Sequence, residues 1–356
     1  MFLKTLEEVK GYIDNLSLKQ NDALMILVGE KSSNDLWEVR EYLNNKDIRF
    51  FGGIYPRLLV EDKCLEEGFI IEKYEPVYLS IVLPYLMRFK MDKSLIEDNT
   101  VLVLADGLSP KVQDLMDTIY DKVGNKVTYI GGGAGFYDLK QRTCIFDNKG
   151  VYQDVAYVCI IKNKTNIAVK HGWNKLDGPY VVTESHGNII SKIDGYSAFH
   201  IYRDVMEEVE RITLYKSDFF IYAKDHPFGI VQKGKYELIV RDPISITDNE
   251  EIICVANIPE GSDVYILKGD KNSLLSSSLE IAEQISLNAP EKYQPMLFNC
   301  ISRAMFLEGN FEEELKNIQK KLKYKVIGAL SIGEISSTKT GEVIIHNKST
   351  VLGLVN

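Results

Sequence analysis

One pattern occurs three times in this chain and limits its fold more than any other feature. Each copy is a buried run, a polar turn, an amphipathic helix, a second buried run and a glycine-containing turn. Unit one joins "ALMILVG", "LWEVREYLNNKD" and "IRFFGGIYPR"; unit two joins "TVLVLADGLSP", "KVQDLMDTIYDKVG" and "KVTYIGGGAGF"; unit three joins "PMLFNCISR", "FEEELKNIQKKLKY" and "KVIGALSIGE". Short apolar runs bounded by turn residues read as strands buried on both faces. The helices place apolar residues three and four positions apart, as at Leu115, Ile119 and Val123. In unit two, Ser109 is positioned to cap a helix whose first residue is Pro110. A strand–helix–strand crossover predicts a parallel pair of strands in each unit.

Between units two and three the sequence is β-rich: "VYQDVAYVCIIK", "NIAVKHGW", "YVVTESHGNIISKIDG", "YELIVRDPISIT", "EEIICVANIP" and "SDVYILKGD". These predict antiparallel strands with turns at Gly, Asn, Asp and Pro. One helix, "AFHIYRDVMEEVERI", lies among them. No low-complexity linker separates the halves, and 356 residues are enough for two or three domains' worth of core.

A net charge of −9 argues against nucleic-acid partners, whose binding rests on clustered Lys and Arg, and against anionic membrane surfaces. The longest apolar run, "YLSIVLPYLMRF", is broken by Pro84 and too short to span a bilayer. The start, "MFLKTLEEVKGYIDN", reads as an amphipathic helix and not as a signal peptide. The five cysteines are scattered with no C-x-x-C, which reads as reduced thiols in a cytoplasm, and no metal or cofactor is expected.

The glycine run "GGGAG" fails both phosphate-binding templates. G-x-G-x-x-G begun at Gly131 would need glycine where Phe136 stands, and no Gly-Lys-Ser/Thr follows. Glycines after a buried strand instead permit close backbone approach. They also expose main-chain N–H groups able to hold a carboxylate, which makes Gly132, Gly133 and the equivalent Gly333 candidates for the rim of a small-ligand site.

Five segments together, "YIGGGAGF", "KHGWNKLDGPYVVTESHGNIISKIDGYSAFHIYRD", "YELIVRDPISITDNEEIICVANIPEGSDVYIL", "FNCISR" and "VIGALSIGEI", resemble the FIST proteins, a name standing for F-box and intracellular signal transduction. The resemblance covers nearly the whole chain. It implies an N-terminal module over 1–205 and a C-terminal module over 206–356. It also implies a sensory, small-ligand-binding role with amino acids as the proposed ligands. Two departures stand out. The family's Cys-x-Gly-Arg is here Cys300-Ile301-Ser302-Arg303, and "FFGGIYPR" lacks the small polar residues that often follow its glycines.

The fold expected is α+β: two related modules whose mixed sheets pack face to face in a layered sandwich covered by helices. In unit three, Cys300 and Arg303 follow one strand and Glu334 follows the neighbouring one, where open α/β sheets bind ligands. Arg303 suits a ligand carboxylate and Glu334 a ligand ammonium; equally, the two residues could simply pair with each other. Cys300 beside Arg303 is either a thiol of lowered pKa or a buried inert one; no histidine spacing supplies it with a base. Trp173 reads as core or as a pocket wall, and Asp106, which matches Cys300 in the repeat, as a ligand contact or a turn residue. Arg241, in Arg241-Asp242-Pro243, reads as a second clamp or a structural pair.

Three functions compete. The favoured one is a cytoplasmic, non-catalytic sensor of an amino acid or similar small polar molecule that presents its bound state to a signalling partner. The others are a thiol enzyme using Cys300 and an interaction scaffold.

Overall fold

The computed structural model describes residues 1–231 and 238–355. The first residues of the strand expected at "YELIVRDPISIT", Tyr236 and Glu237, lie outside the described residues; the strand is seen from Ile239.

All three units form as expected. In unit one, Ala23–Gly29 and Phe50–Tyr55 pair in parallel, joined by helix Leu36–Asn45. Unit two pairs Thr100–Asp106 with Thr128–Ala134 across helix Val112–Val123. Unit three pairs Gln294–Cys300 with Ile327–Ser331 across helices Ile301–Leu307 and Phe311–Lys320. The unit-two helix begins later than Pro110. Ser109 accepts a hydrogen bond from Lys111 N at 3.2 Å and donates to Asp154 at 2.7 Å, so it closes the preceding turn and is not the helix cap.

What happens after each unit was not legible in the repeat. Each second strand runs into a short hairpin, and each hairpin joins another unit's sheet. The hairpin after unit one (Leu58–Val60 and Lys63–Leu65) pairs with the second strand of unit three. The hairpin after unit two (Ile145–Asp147 and Val151–Tyr152) pairs with the second strand of unit one. The hairpin after unit three (Glu334–Ser337 and Val343–His346) pairs with the second strand of unit two. The chain then returns antiparallel along its own first strand, as Phe69–Tyr74, Ala156–Ile161 and Thr350–Val355.

A further strand borders each returning strand. Pro76–Leu83 follows unit one but borders unit two; Asn166–Lys170 follows unit two but borders unit three; Phe2–Leu3 borders unit one. The connections therefore form a closed cycle of three, and the N-terminal strand takes the place the cycle would otherwise leave open.

The inner faces of the three sheets meet in one core, to which Ile26, Leu102, Leu104, Ile130, Phe298, Ala329 and Val351 all contribute. Alternate residues point outward under helices. Val101 and Val103 pack with Leu115 and Ile119, while Leu297 and Leu352 pack with Ile281, Leu315 and Ile318. Strands buried on both faces explain why these runs are continuously apolar.

The three second strands touch where this core is tightest, and the glycines of unit two make that possible. A Cβ on Gly132 would fall 2.6 Å from Phe298 Cδ1 and 2.8 Å from Ser331 Cβ. One on Gly133 would fall 2.1 Å from Ile332 O and 2.7 Å from Gly107 Cα.

The first runs of the β-rich segment, Ala156–Ile161 and Asn166–Lys170, belong to the sheets of units two and three; the rest, from Asn174 to Lys268, is an insert between those units. It forms a separate sheet in the order Ile239–Arg241, Phe228–Ile230, Asp263–Lys268, Asn174–His186, Ile189–Ile193, Ile252–Cys254, Pro243–Ile246. Helix Ala198–Glu208 and the short helix Phe219–Ala223 cover it through Phe199, Tyr202, Val205 and Phe219. Helix Lys271–Ser286, capped by Asp270 on Ser273 N at 2.8 Å, leads back to unit three. The molecule is thus α+β, with mixed sheets layered around shared cores and covered by helices.

Candidate functional site

A cleft lies where edges of three sheets converge. One wall is the edge strand Asn166–Lys170 with the residues before and after it, Lys164 to His171. The facing wall is the turn Ser336–Gly341 of the hairpin after unit three; Ile344, His346, Leu238 and Ile239 also line the cleft. The cavity volume is about 860 Å³. That falls within the roughly 300–1,000 Å³ usual for small-molecule sites. Its inner end reaches Ser336, His346 and Ser349, and Ser336 Oγ lies 2.8 Å from His346 Nε2.

Directly behind that inner end is a buried polar cluster. Glu334 has no solvent exposure; Ser331 Oγ donates to Oε1 at 2.8 Å and Ser349 N to Oε2 at 3.2 Å. Burial raises its pKa to about 8 against the pull of these hydrogen bonds. Burial likewise pushes the Cys300 thiol up, and the carboxylates of Glu334 and Asp242 add to it. This is the reverse of the electropositive setting that activates a cysteine.

Lys348 completes the cluster. It is fully buried with φ +54°, a left-handed conformation uncommon for a residue with a side chain. Its ammonium donates to Lys224 O at 2.6 Å, sits 3.1 Å from Asp242 Oδ1 and lies 4.9 Å from the Trp173 ring centre. The contact with Asp242 is ionic and not a well-directed hydrogen bond, because Oδ1 has no hydrogen-bond donor among the described residues. Trp173 is itself core, packed on Phe306 at 5.0 Å, and its Nε1 donates to Lys348 O at 3.0 Å.

The "RDP" stretch ties the inserted sheet to this place. Arg241 donates through Nη1 to Ile345 O at 3.0 Å and through Nε to Asn257 O at 2.8 Å. Burial lowers its pKa to about 10. Asp242 supplies the counter-charge to Lys348.

Arg303 sits elsewhere. It is fully buried and makes a two-oxygen contact with Glu314, Nε to Oε1 at 3.0 Å and to Oε2 at 3.1 Å. Its remaining donors go to the carbonyls of His171 and Leu274 and to Ser277 Oγ. It does not pair with Glu334, and all three guanidinium nitrogens have partners within the protein. Glu314 was missed, although a signal was present: Phe311, Glu314, Leu315 and Ile318 share one helix face, so this glutamate stands in an apolar stripe.

Gly132 and Gly133 lie inside a buried strand and not at a rim; Gly133 N donates to Gly333 O at 2.8 Å. Gly333, at φ +91°, makes the turn that delivers Glu334. Asp106 belongs to a separate cluster at the end of unit two. Its oxygens accept from Leu108 N, Asp154 N and Gln141 Nε2 at 3.2, 2.9 and 2.9 Å. The fold therefore brings together Cys300, Glu334, Gly333, Trp173 and Arg241, with Gly132, the sheet partner of Glu334, and Gly133 backing them as buried main chain, and leaves Arg303 and Asp106 outside the cluster.

A second, smaller cleft of about 410 Å³ occupies the equivalent place in the cycle, between the N-terminal strand (Phe2, Lys4) and the hairpin after unit one (Val60 to Leu65). Its lining includes Glu61, Asp62 and Glu67 beside Lys4 and Lys63.

A FIST N domain is matched over residues 8–196 and a FIST C domain over 198–337. No curated protein matches the chain. The chain belongs to the FIST family, whose domains are sensory and signalling domains. The two matched regions are interlaced, since Leu58–Val60 of the first completes a sheet of the second and Glu334–Ser337 of the second completes a sheet of the first. Among the described residues no helix is long and apolar enough to cross a membrane, and no group of three or more His, Cys, Asp or Glu is placed to hold a metal ion.

Proposed function

We propose that this protein is a sensor that binds an amino acid or similar small polar molecule in the three-edged cleft and passes its bound state to a signalling partner, without catalysis of its own. The observation that carries the reading is the cleft itself: its inner end lies over buried Glu334 and adjoins the Arg241–Asp242 contact with the inserted sheet. Occupancy there acts on the segment His346–Ser349, which connects cleft, carboxylate and insert. A ligand carboxylate is served by the cleft lysines, because Arg303 is committed to Glu314. A thiol enzyme is disfavoured by the buried, carboxylate-flanked setting of Cys300.

The test is thermal unfolding of the purified protein against amino acids, small carboxylates and nucleotides. A ligand at 100 times its dissociation constant stabilises by about 2.7 kcal/mol, several degrees for a chain of this length. A hit among amino acids or small carboxylates supports the reading; a response to nucleotides alone overturns it, and so does no response at all when peptides fail to bind as well.

A further inference from the structure

The cleft is longer than a single amino acid requires. Residues Lys164 to His171 line it consecutively, and an extended chain rises about 3.3 Å per residue, so this wall runs for roughly 25 Å. The wall is also an open sheet edge. Asn166–Lys170 pairs with Thr350–Val355 on one side, and no strand among the described residues pairs with the other. Such an edge offers alternating N–H and C=O groups to an incoming chain.

Its charge is equally distinctive. In a protein of net charge −9, the lining holds Lys164 near one end, Lys170 near the other and Lys339 on the facing turn, with no Asp or Glu among the described residues that line it. Two of these lysines have partners on the rim, Glu280 for Lys170 and Asp98 at 3.6 Å for Lys164, and both pairs are solvent-exposed. Exposed pairs of this kind exchange partners at little cost. The smaller, equivalent cleft has the opposite character: its edge strand is two residues long and its lining carries three acidic side chains. A long open edge and an acid-free lining therefore occur together in one of these two clefts and are both missing from the other.

We propose that the ligand of this cleft is a short acidic peptide, bound extended as an added strand along Asn166–Lys170 with acidic groups toward Lys164 and Lys170. The inference rests on the small-ligand reading of the cleft and gives that ligand a class, an oligopeptide of about four to six residues.

The experiment incubates the full-length protein with three pools of six-residue peptides, each with four randomised central positions. The first pool is flanked by glutamates, the second by lysines, and the third is the glutamate pool with alternate backbone nitrogens methylated. Peptides retained by the protein are quantified by mass spectrometry. The glutamate pool is expected to exceed the lysine pool by roughly tenfold, the value of one well-placed charge contact. Backbone methylation should abolish that excess. A Lys164→Glu/Lys170→Glu variant, both positions being at the surface, should lose it while keeping the wild-type unfolding midpoint.

Equal retention of the acidic and basic pools overturns the charge assignment, and full retention of the methylated pool overturns strand addition. If free amino acids stabilise the protein while no pool is retained, the peptide falls and the sensor stands. If neither binds, both fall; the lysines then serve only to keep a sheet edge from pairing with other chains.

Discussion

Units two and three share one plan and end differently. In unit two the strand-end residue is Asp106, and its own unit's loop satisfies it through Leu108 N, Gln141 and Asp154 N. Cys144 lies beside it, its thiol pushed well up by burial and then by Asp106. In unit three the strand-end residue is Cys300 and the carboxylate comes from the following hairpin, as Glu334. Thiol and acid have traded places. The unit-two pair is sealed by the turn after its strand and by the chain around the hairpin that follows the unit. The unit-three pair faces the insert through Asp242, Lys348 and Trp173 and backs onto a cleft. Identical topology thus yields one closed structural joint and one site with an outside, and the difference lies in what the chain inserts next to it.

The largest effect expected on this contrast comes from the buried pair that supports unit three. Arg303→Ala leaves Glu314 charged and unpaired in the core and should cost about 3–5 kcal/mol in denaturant unfolding. Arg303→Met combined with Glu314→Leu should cost clearly less. An Arg303→Ala protein of normal stability that had lost only ligand binding would reverse the assignment.

Asp106→Asn should cost about 1–3 kcal/mol at pH 7, because an amide nitrogen would then face groups that already donate. Gly133→Ala should cost a similar amount, about 1–3 kcal/mol, since the added carbon meets the Ile332 and Gly107 backbone, which cannot swing aside. Urea midpoints for both variants, beside Gly309→Ala, where an added Cβ meets nothing within 4 Å, would check the claim. A harmless Gly133→Ala would break the close-packing account of the glycine run.

Glu334→Gln separates the two units by pH. The folded protein holds this proton up to about pH 8, whereas the unfolded chain releases it near 4.5. Below 4.5 both states are protonated and nothing is lost; between 4.5 and about 8 the unfolded state sheds a proton that the folded state keeps, so stability falls as pH rises. Glu334→Gln removes this slope, and its unfolding free energy should gain on wild type across that window. Parallel pH profiles would show that Glu334 is ionised in the fold.

The smallest effect is kinetic. At neutral pH iodoacetamide should reach the half-buried Cys64 first and leave Cys144 and Cys300 unmodified over the same period. Rapid labelling of Cys300 alone would make unit three a reactive centre and revive the enzyme reading.

The three units were readable because strands buried on both faces leave continuous apolar runs, and their helices leave a stripe. The insert was readable from its short strand-forming runs and the Gly, Asn, Asp and Pro turns between them. The exchange of hairpins was not, because the choice between a strand's own unit and another depends on pairings such as Leu58 with Ala329, which leave no local trace. The candidate site was half legible. Cys300 and Glu334 were placed at adjacent strand ends by the repeat. Lys348 and Asp242 were not, since a buried lysine in "HNKST" looks like any turn residue until its counter-charge arrives from another sheet. Arg303 was assigned to the ligand because its partner stands a helix away, hidden among three consecutive glutamates.

The cycle of exchanged hairpins also bears on how the chain reaches its native state. No unit can complete its own sheet: unit one waits for the hairpin after unit two, unit two for the hairpin after unit three, and unit three for the hairpin after unit one. These pairings join segments far apart in the chain, and loop closure must precede them, which slows folding. During synthesis the second strand of unit two emerges long before Glu334–Ser337 arrives to cover its edge. The newborn chain therefore carries a glycine-rich strand with one edge unpaired until Glu334–Ser337 is made, so the sheet of unit two closes only after unit three has been synthesised.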